Sequence, residues 1–324
     1  KEWFSCVGDG IQECRNTWEH KKWNITDLPE FELAITIDRP ELYYDFLQKD
    51  WTRFCHDYWK NNFLEHHTLS QKRVTRIYIG NQFCHNLFPR KELLFQVLEK
   101  ALENNLAVTL AFSYIRNHLL EEIDELLQEL EVWCQSREKE AGKDQEEIIV
   151  NDWAMPILLQ GKPHLKPVLG VLLNKRRKDV RLPCKHGIGN HVDSLAENNL
   201  NCGFYQDYLK NTFDIQRFEF ESCGYKVTIP DGHHSLHLPF FQTNTSQYCT
   251  LYAVCRYGDR EKQKLPENCP KYCEQKVFLY PKHLKMVGRY NSLFGYDEKI
   301  LWDEKQLQDY LEQGIDRIVV NVSL

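Results

Sequence analysis

The chain has 324 residues, 42% hydrophobic and 13% aromatic, with eight Trp and sixteen Tyr; that is ample material for a buried core and excludes an intrinsically disordered protein. Its formal net charge of −6, with no Lys/Arg-dense stripe, removes the usual electrostatic footprint of a nucleic-acid binder. No window approaches eighteen consecutive apolar residues, and the opening KEWFSCVGDG lacks the basic and apolar regions of a signal peptide, so a soluble, cytoplasmic chain without membrane contact is expected. Position 1 is Lys rather than an initiator Met, which points to processing or trimming.

Residues 1–30 read as a Trp- and Cys-containing N-terminal extension. From there the sequence alternates short β-branched runs with helical patterns, starting with FELAITI (31–37) and RIYIG (76–80). Leu93, Leu94, Val97, Leu98 and Ala101 share one helical face ahead of the apolar run LAVTLAF (106–112), a βαβ pattern. A second helix carries Leu119, Leu120, Ile123, Leu126, Leu127, Leu130 and Trp133 opposite a face of Glu, Asp and Gln, with Cys134 at the edge of the core stripe. The polar stretch 136–147 reads as a solvated loop or helix end. EIIVND (147–152), PVLGVLLN (167–174), QRFEFE (216–221), KVFLY (276–280) and RIVVNV (317–322) complete eight strand candidates, the last following a helix that ends before Gly314. Eight mostly helix-linked strands favour a single α/β domain over residues 31–324, a (β/α)8 TIM-barrel-like fold, ahead of a doubly wound sheet with insertions.

Twelve cysteines are many for a reduced compartment. A chain this long with a real core does not need disulfide staples, so thiolate ligation of a metal is the better reading. The densest signal is TNTSQYCTLYAVCRYGDREKQKLPENCPKYC (243–273), where Cys269 and Cys273 stand in a C-x3-C pair that can reach one metal centre. Pro266 and Pro270 stiffen that loop. Soft thiolates select zinc, copper(I) or iron–sulfur clusters, and four are needed to close such a site. Cys84 follows the strand-like RIYIG by four residues, at the carboxyl end where barrel folds carry their functional loops.

The runs RIYIGNQFC (76–84), VLGVLLN (168–174) and HLPFFQTNTSQYC (237–249), with the trailing C-x3-C, resemble the collagenase-like peptidase family U-32, and within it the UbiV-type ubiquinone-biosynthesis branch. The resemblance follows the order of elements over residues 31–322. It implies a 4Fe-4S cluster on Cys84, Cys249, Cys269 and Cys273. Cys255 is the alternative third ligand: the broader family's spacing from His237 favours Cys249, whereas the shorter gap of the UbiV-type loop fits Cys255. The chain departs from the family in having Gln247 where an Arg often precedes this cysteine, and in its longer aromatic N-terminal region. The resemblance further implies a subunit of an oxygen-independent hydroxylase acting on a small aromatic substrate, in a heterodimer with a second U-32-type subunit. The alternatives are a non-catalytic, partner-binding subunit with a structural cluster, and a peptidase, for which no nucleophile–base pair or catalytic zinc motif is present.

Other residues carry two readings each. His237, flanked by Leu and Pro, either lines a pocket beside the cluster or is a hydrogen-bonded core residue. Asn151, Asp152 and Asn174 end strand-like runs and are candidate substrate contacts at the barrel mouth, or caps of the following helix. Glu219 and Glu221 share a strand face; inward they suit acid–base work, outward they are solvated. The run Arg176, Arg177, Lys178 reads as a solvated loop, and His66, His67, His233 and His234 as surface or turn residues. Cys6, Cys14, Cys55, Cys184, Cys202 and Cys223 read as core or free thiols. No Walker loop, G-x-G-x-x-G, G-x-S-x-G or H-E-x-x-H motif is present.

Overall fold

The computed structural model describes residues 7–9, 18–24, 29–141, 145–181, 195–266 and 268–322. Cys6, Cys14 and Cys184 lie outside them. The chain runs β1 (Val7–Asp9), β2 (Glu32–Ile37), α1 (Pro40–Gln48), α2 (Trp51–Asn61), β3 (Arg76–Ile79), α3 (Lys91–Glu103), β4 (Ala107–Ala111), α4 (Leu120–Ala141) and β5 (Glu146–Val150). It continues through α5 (Ala154–Leu158), β6 (Leu165–Leu169), α6 (Gly203–Phe213), β7 (Glu219–Glu221), β8 (His234–Leu238), β9 (Phe240–Thr245) and α7 (Thr250–Tyr257). Then come β10 (Lys276–Leu279), β11 (Met286–Arg289), β12 (Ser292–Tyr296), α8 (Glu304–Glu312) and β13 (Ile315–Val320).

Eight strands form one all-parallel sheet in the order β6-β5-β4-β3-β2-β13-β8-β7. A single parallel bridge, Leu169 to Phe218, joins its two edges and nearly closes a barrel, with helices between strands as expected for an α/β (β/α)8 fold. Two faces of each strand are buried for different reasons. Outward residues such as Ile35, Ile77, Leu110, Ile148, Leu236 and Ile318 pack under the helices. Inside the barrel, Ala34, Tyr78, Ala111, Ile149, Val168 and Val319 form a separate apolar layer. On α3 the expected stripe is buried at Leu94, Val97, Leu98 and Ala101, and on α4 Leu127, Leu130 and Cys134 face the core.

One expected strand is misplaced. KVFLY is no barrel strand; it is β10, in a five-stranded antiparallel sheet ordered β1-β10-β11-β12-β9, of which β9 to β12 come from the chain between β8 and β13. The eighth barrel strand is β8, whose His234, Ser235 and His237 masked it as a polar segment although all five residues are buried. PVLGVLLN also ends early, at Leu169, because Gly170 turns the chain so closely against Asn151 that an added Cβ would lie 2.1 Å from its Oδ1. The N-terminal region is tied down: β1 pairs with β10, Trp18 and Trp23 are buried, and Trp23 Nε1 donates to Ile300 O at 2.8 Å. Among the described residues, no helix is long and apolar enough to cross a membrane.

The amino end of the barrel is plugged by charge. Buried Arg317 donates from Nε to Glu32 Oε2 (2.6 Å) and from both terminal nitrogens to Glu147 (2.7 and 3.0 Å). Arg76 spans the same two carboxylates at 2.8 and 3.3 Å. Burial by itself raises the Glu147 carboxyl, yet the Arg317 and Arg76 guanidiniums outweigh it and hold the group down at about 2. The opposite, carboxyl end is left open, and both candidate sites lie there.

Candidate metal centre and barrel-mouth cavity

Gly80 ends β3 with φ +106°, where a Cβ would come within 2.6 Å of Ala111 O and 2.7 Å of the Phe88 ring, so only glycine lets the chain turn there. Asn81 then orders the loop: its Oδ1 accepts from the N–H groups of Phe83 and Cys84, each at 2.9 Å. Phe83 packs edge-on against Phe294 of β12, with centroids 4.9 Å apart. Cys84 is thereby presented away from the barrel axis.

Cys84, Cys249, Cys269 and Cys273 line one cavity, together with Asn86, Arg116, Pro266, Tyr290 and Asn291. Three segments far apart in sequence converge there. Cys249 caps α7, its Sγ accepting from Tyr252 N–H (3.3 Å) and donating to Tyr290 O (3.0 Å). Its approach is pinned by the loop after β4, where Tyr114 OH donates to Ser246 O (3.1 Å) and Arg116 to Gln247 O. Cys273 sits in a one-turn helix entered through left-handed Lys271, and its carbonyl accepts from Arg289 Nε at 2.8 Å. Cys255, six residues further along α7, does not line the cavity. Burial pushes the Cys84 thiol up to about 11 and the Cys249 thiol to about 12, and raises Cys273 further; the nearby thiols add to each shift. These groups are therefore neutral at pH 7 without a ligand, and binding a metal there must release protons.

The donor set fits a soft metal centre: among the described residues the cavity lining holds four thiols and no carboxylate or imidazole. Tyr290 OH, Asn291 Oδ1 and Arg116 Nε on its wall are buried without hydrogen-bond partners, which is the kind of polar rim that sulfur in a bound centre would meet. Among the described residues, no three His, Cys, Asp or Glu side chains converge on a single-ion position. A cubane gives each thiolate its own iron and does not need that convergence. The nine described cysteines are all unpaired.

The second cavity occupies the barrel mouth and shares the same loop: Gln82 and Phe83 line it, while the next residue turns to the thiols. Its other walls include Thr36, Asp38, Tyr78, Val171, Glu221, His237 and Asn321. His237 thus faces a pocket, and Glu219 and Glu221 both point inward, 0% and 3% exposed. Glu219 Oε2 lies 2.5 Å from His237 Nε2 and its Oε1 accepts from Tyr78 OH at 3.1 Å. Burial raises this carboxyl, but the hydrogen bond and charge of His237, with Arg317 beneath, leave it below the ordinary value.

Several expectations need correction. The basic run is solvated only at Arg177: the Arg176 and Lys178 side chains are 1% and 7% exposed, and Lys178 Nζ meets Glu221 Oε2 at 2.5 Å. Burial lowers the Lys178 ammonium and Glu221 offsets part of that. His67 and His234 are buried rather than at the surface, each 1% exposed, whereas His66 and His233 are exposed. Asn151, Asp152 and Asn174 do not line the cavity. Asn151 ties Gln82 and Phe112 O to the chain after β6, Asp152 caps Ala154 N–H at 2.7 Å, and Asn174 donates to Glu219 O at 3.1 Å. Asp38, Thr36 and Asn321 escaped notice. Asp38 and Asn321 directly follow apolar strands, the position that drew attention to Asn151, so their signal was present.

The fold and site together define a parallel α/β barrel with a four-thiol cavity beside a polar mouth. No protein-family model, curated protein or solved structure matches the chain.

Proposed function

We propose that the chain binds a 4Fe-4S cluster through Cys84, Cys249, Cys269 and Cys273 and serves as a subunit of an oxygen-independent hydroxylase acting on a small aromatic substrate. The observation that carries the cluster is the convergence of these four thiols, from three segments, on one cavity. A bound cluster would supply one-electron transfer. The chain's own part is to hold the loop 80–84 rigid through Asn81, to set Cys249 through Tyr252 N–H and Tyr290 O, and to keep Arg116 and Asn291 at the rim. A substrate site in the barrel mouth is supported by a cavity that pairs apolar walls at Phe83, Ala111 and Val171 with polar groups at His237, Asp38 and Asn321. The resemblance to the UbiV-type branch supports the hydroxylase chemistry and a second U-32-type subunit.

One observation favours a second reading, a structural cluster in a non-catalytic subunit. Cys84 comes from the barrel, while the other three come from the segment between β9 and β11 in the antiparallel sheet, so a centre bonding all four would staple the two sheets together. Anaerobic purification with iron and sulfide quantitation, and electron paramagnetic resonance after reduction, tests the shared claim. Four-iron content is expected in the unmodified protein and in Cys255→Ala, and its loss in Cys84→Ala, Cys249→Ala and Cys269→Ala. Zinc, or no metal, in the anaerobic protein refutes both readings. Assaying hydroxylation with each subunit alone and together separates them.

A further inference from the structure

We infer that His237 is a general base aimed into the barrel-mouth cavity, its tautomer set by Glu219, and that the cavity takes a small molecule bearing a hydroxyl group on an apolar body. Neither the cavity nor the inference depends on the cysteines. Glu219 is fully buried and accepts from Tyr78 OH on one oxygen, with His237 Nε2 at 2.5 Å from the other. An ionised carboxylate can only accept, so Nε2 carries a hydrogen, which makes Nδ1 the acceptor nitrogen of the neutral ring. Nδ1 has no hydrogen-bond partner among the described residues, although His237 is only 2% exposed and lines the cavity. The ring is held edge-on by Tyr78 at 5.5 Å, and Tyr78 OH in turn accepts from Arg317 at 3.1 Å.

The charged groups around the imidazole settle what ligand fits. Glu219 on β7 lies behind it, and Tyr78 on β3 and Arg317 on β13 lie below. Across the cavity, Glu221 is neutralised by Lys178 and accepts from Gln242 N–H at 2.7 Å. Asp38 Oδ1, also in the cavity wall, is buried without a partner. Two unpaired acceptors facing apolar Phe83, Ala111 and Val171 call for a hydroxyl donor on an apolar body. In the step, the ligand O–H breaks, the proton bonds to Nδ1, the oxygen keeps the electron pair, and the imidazolium so formed is balanced by Glu219 at Nε2.

The test uses 4-nitrophenol, whose ionised form absorbs separately, on the full chain. Saturable binding that lowers the dye's apparent pKa by about one unit, giving about tenfold more phenolate at a fixed pH below it, is expected. His237→Gln should abolish the spectral shift, and Glu219→Gln, which keeps the base but frees its tautomer, should weaken it. Nitrogen-15 spectra of histidine-labelled unmodified protein give an independent readout that no folding defect can confuse: Nδ1 must be the unprotonated nitrogen. A protonated Nδ1, absence of saturable dye binding, or an unchanged shift in His237→Gln overturns the proposal.

Discussion

Replacing Arg317 by Leu removes the centre of the ionic plug at the amino end of the barrel. The guanidinium, 2% exposed, bonds Glu32 at 2.6 Å, Glu147 at 2.7 and 3.0 Å and Tyr78 OH at 3.1 Å. Without it, Glu147 keeps Arg76 at 3.3 Å and Arg217 at 3.9 Å, too little to balance a buried carboxylate. Breaking one partner out of a buried pair costs about 4 kcal/mol, the middle of the usual range. In a chain of this size that corresponds to a Tm lower by about 6 °C. The cost comes mainly from the stranded charge rather than from lost attraction, so Glu147→Gln in the Arg317→Leu background should restore about half of it. Urea unfolding at pH 7 of the unmodified protein, both single variants and the double variant measures this directly. A loss below about 1 kcal/mol for Arg317→Leu, or no recovery in the double variant, would refute the reasoning, because it would mean the plug is hydrated and its charges act independently.

The same plug sets the response to acid. Glu147 is held at about 2 against an ordinary 4.5, so its contribution is fully present above pH 4.5 and disappears as pH falls through 2; urea unfolding along that window should lose about 3 kcal/mol, and Glu147→Gln should flatten the curve. His67 acts at higher pH: its Nε2 donates to Leu301 O at 2.8 Å and its Nδ1 accepts from Leu69 N–H at 3.0 Å, and burial lowers it from 6.5 to about 4. The unfolded chain takes the proton first, so stability should fall as pH drops from 6.5 towards 4, and His67→Gln should remove that slope. Gly80→Ala meets the Ala111 carbonyl and the Phe88 ring and forces an alanine to positive φ, which should cost about 3 kcal/mol in urea unfolding and release the loop that presents Cys84. Asn81→Ala frees two loop N–H groups for about 1–2 kcal/mol, and the proposed cluster predicts an iron content that drops more sharply than stability.

The barrel was legible because most of its strands bury both faces, and near-continuous apolar runs such as LAVTLAF and EIIV mark such strands whatever surrounds them. β8 was not, because its inward positions are Ser235 and His237, which tertiary partners rather than periodicity make tolerable. KVFLY carried a genuine strand pattern, but a pattern of alternation says nothing about which sheet receives it. Cys84, Cys249, Cys269 and Cys273 were found through spacing and resemblance, and the structure gathers all four at one cavity. Lys178 was lost because a run of three cations looks solvated until the facing Glu221 is known, and a pairing across 43 positions leaves no local trace. Asn151, Asp152 and Asn174 were placed at the correct end of the barrel, where their polar atoms tie the chain to itself.

The bridge between Leu169 and Phe218 gives the barrel a seam. Seven of its joints are ladders of three or more registered pairs, whereas β6 and β7 meet at this bridge, with Leu169 N–H donating to Arg217 O at 3.0 Å. A hoop with one weak stave yields there first. Amide exchange at Leu169 should outpace that of Ile149 on β5 and Leu110 on β4, because the joint that opens separates β6, which leads to Val171, from β7, which ends at Glu221, and breaks no ladder.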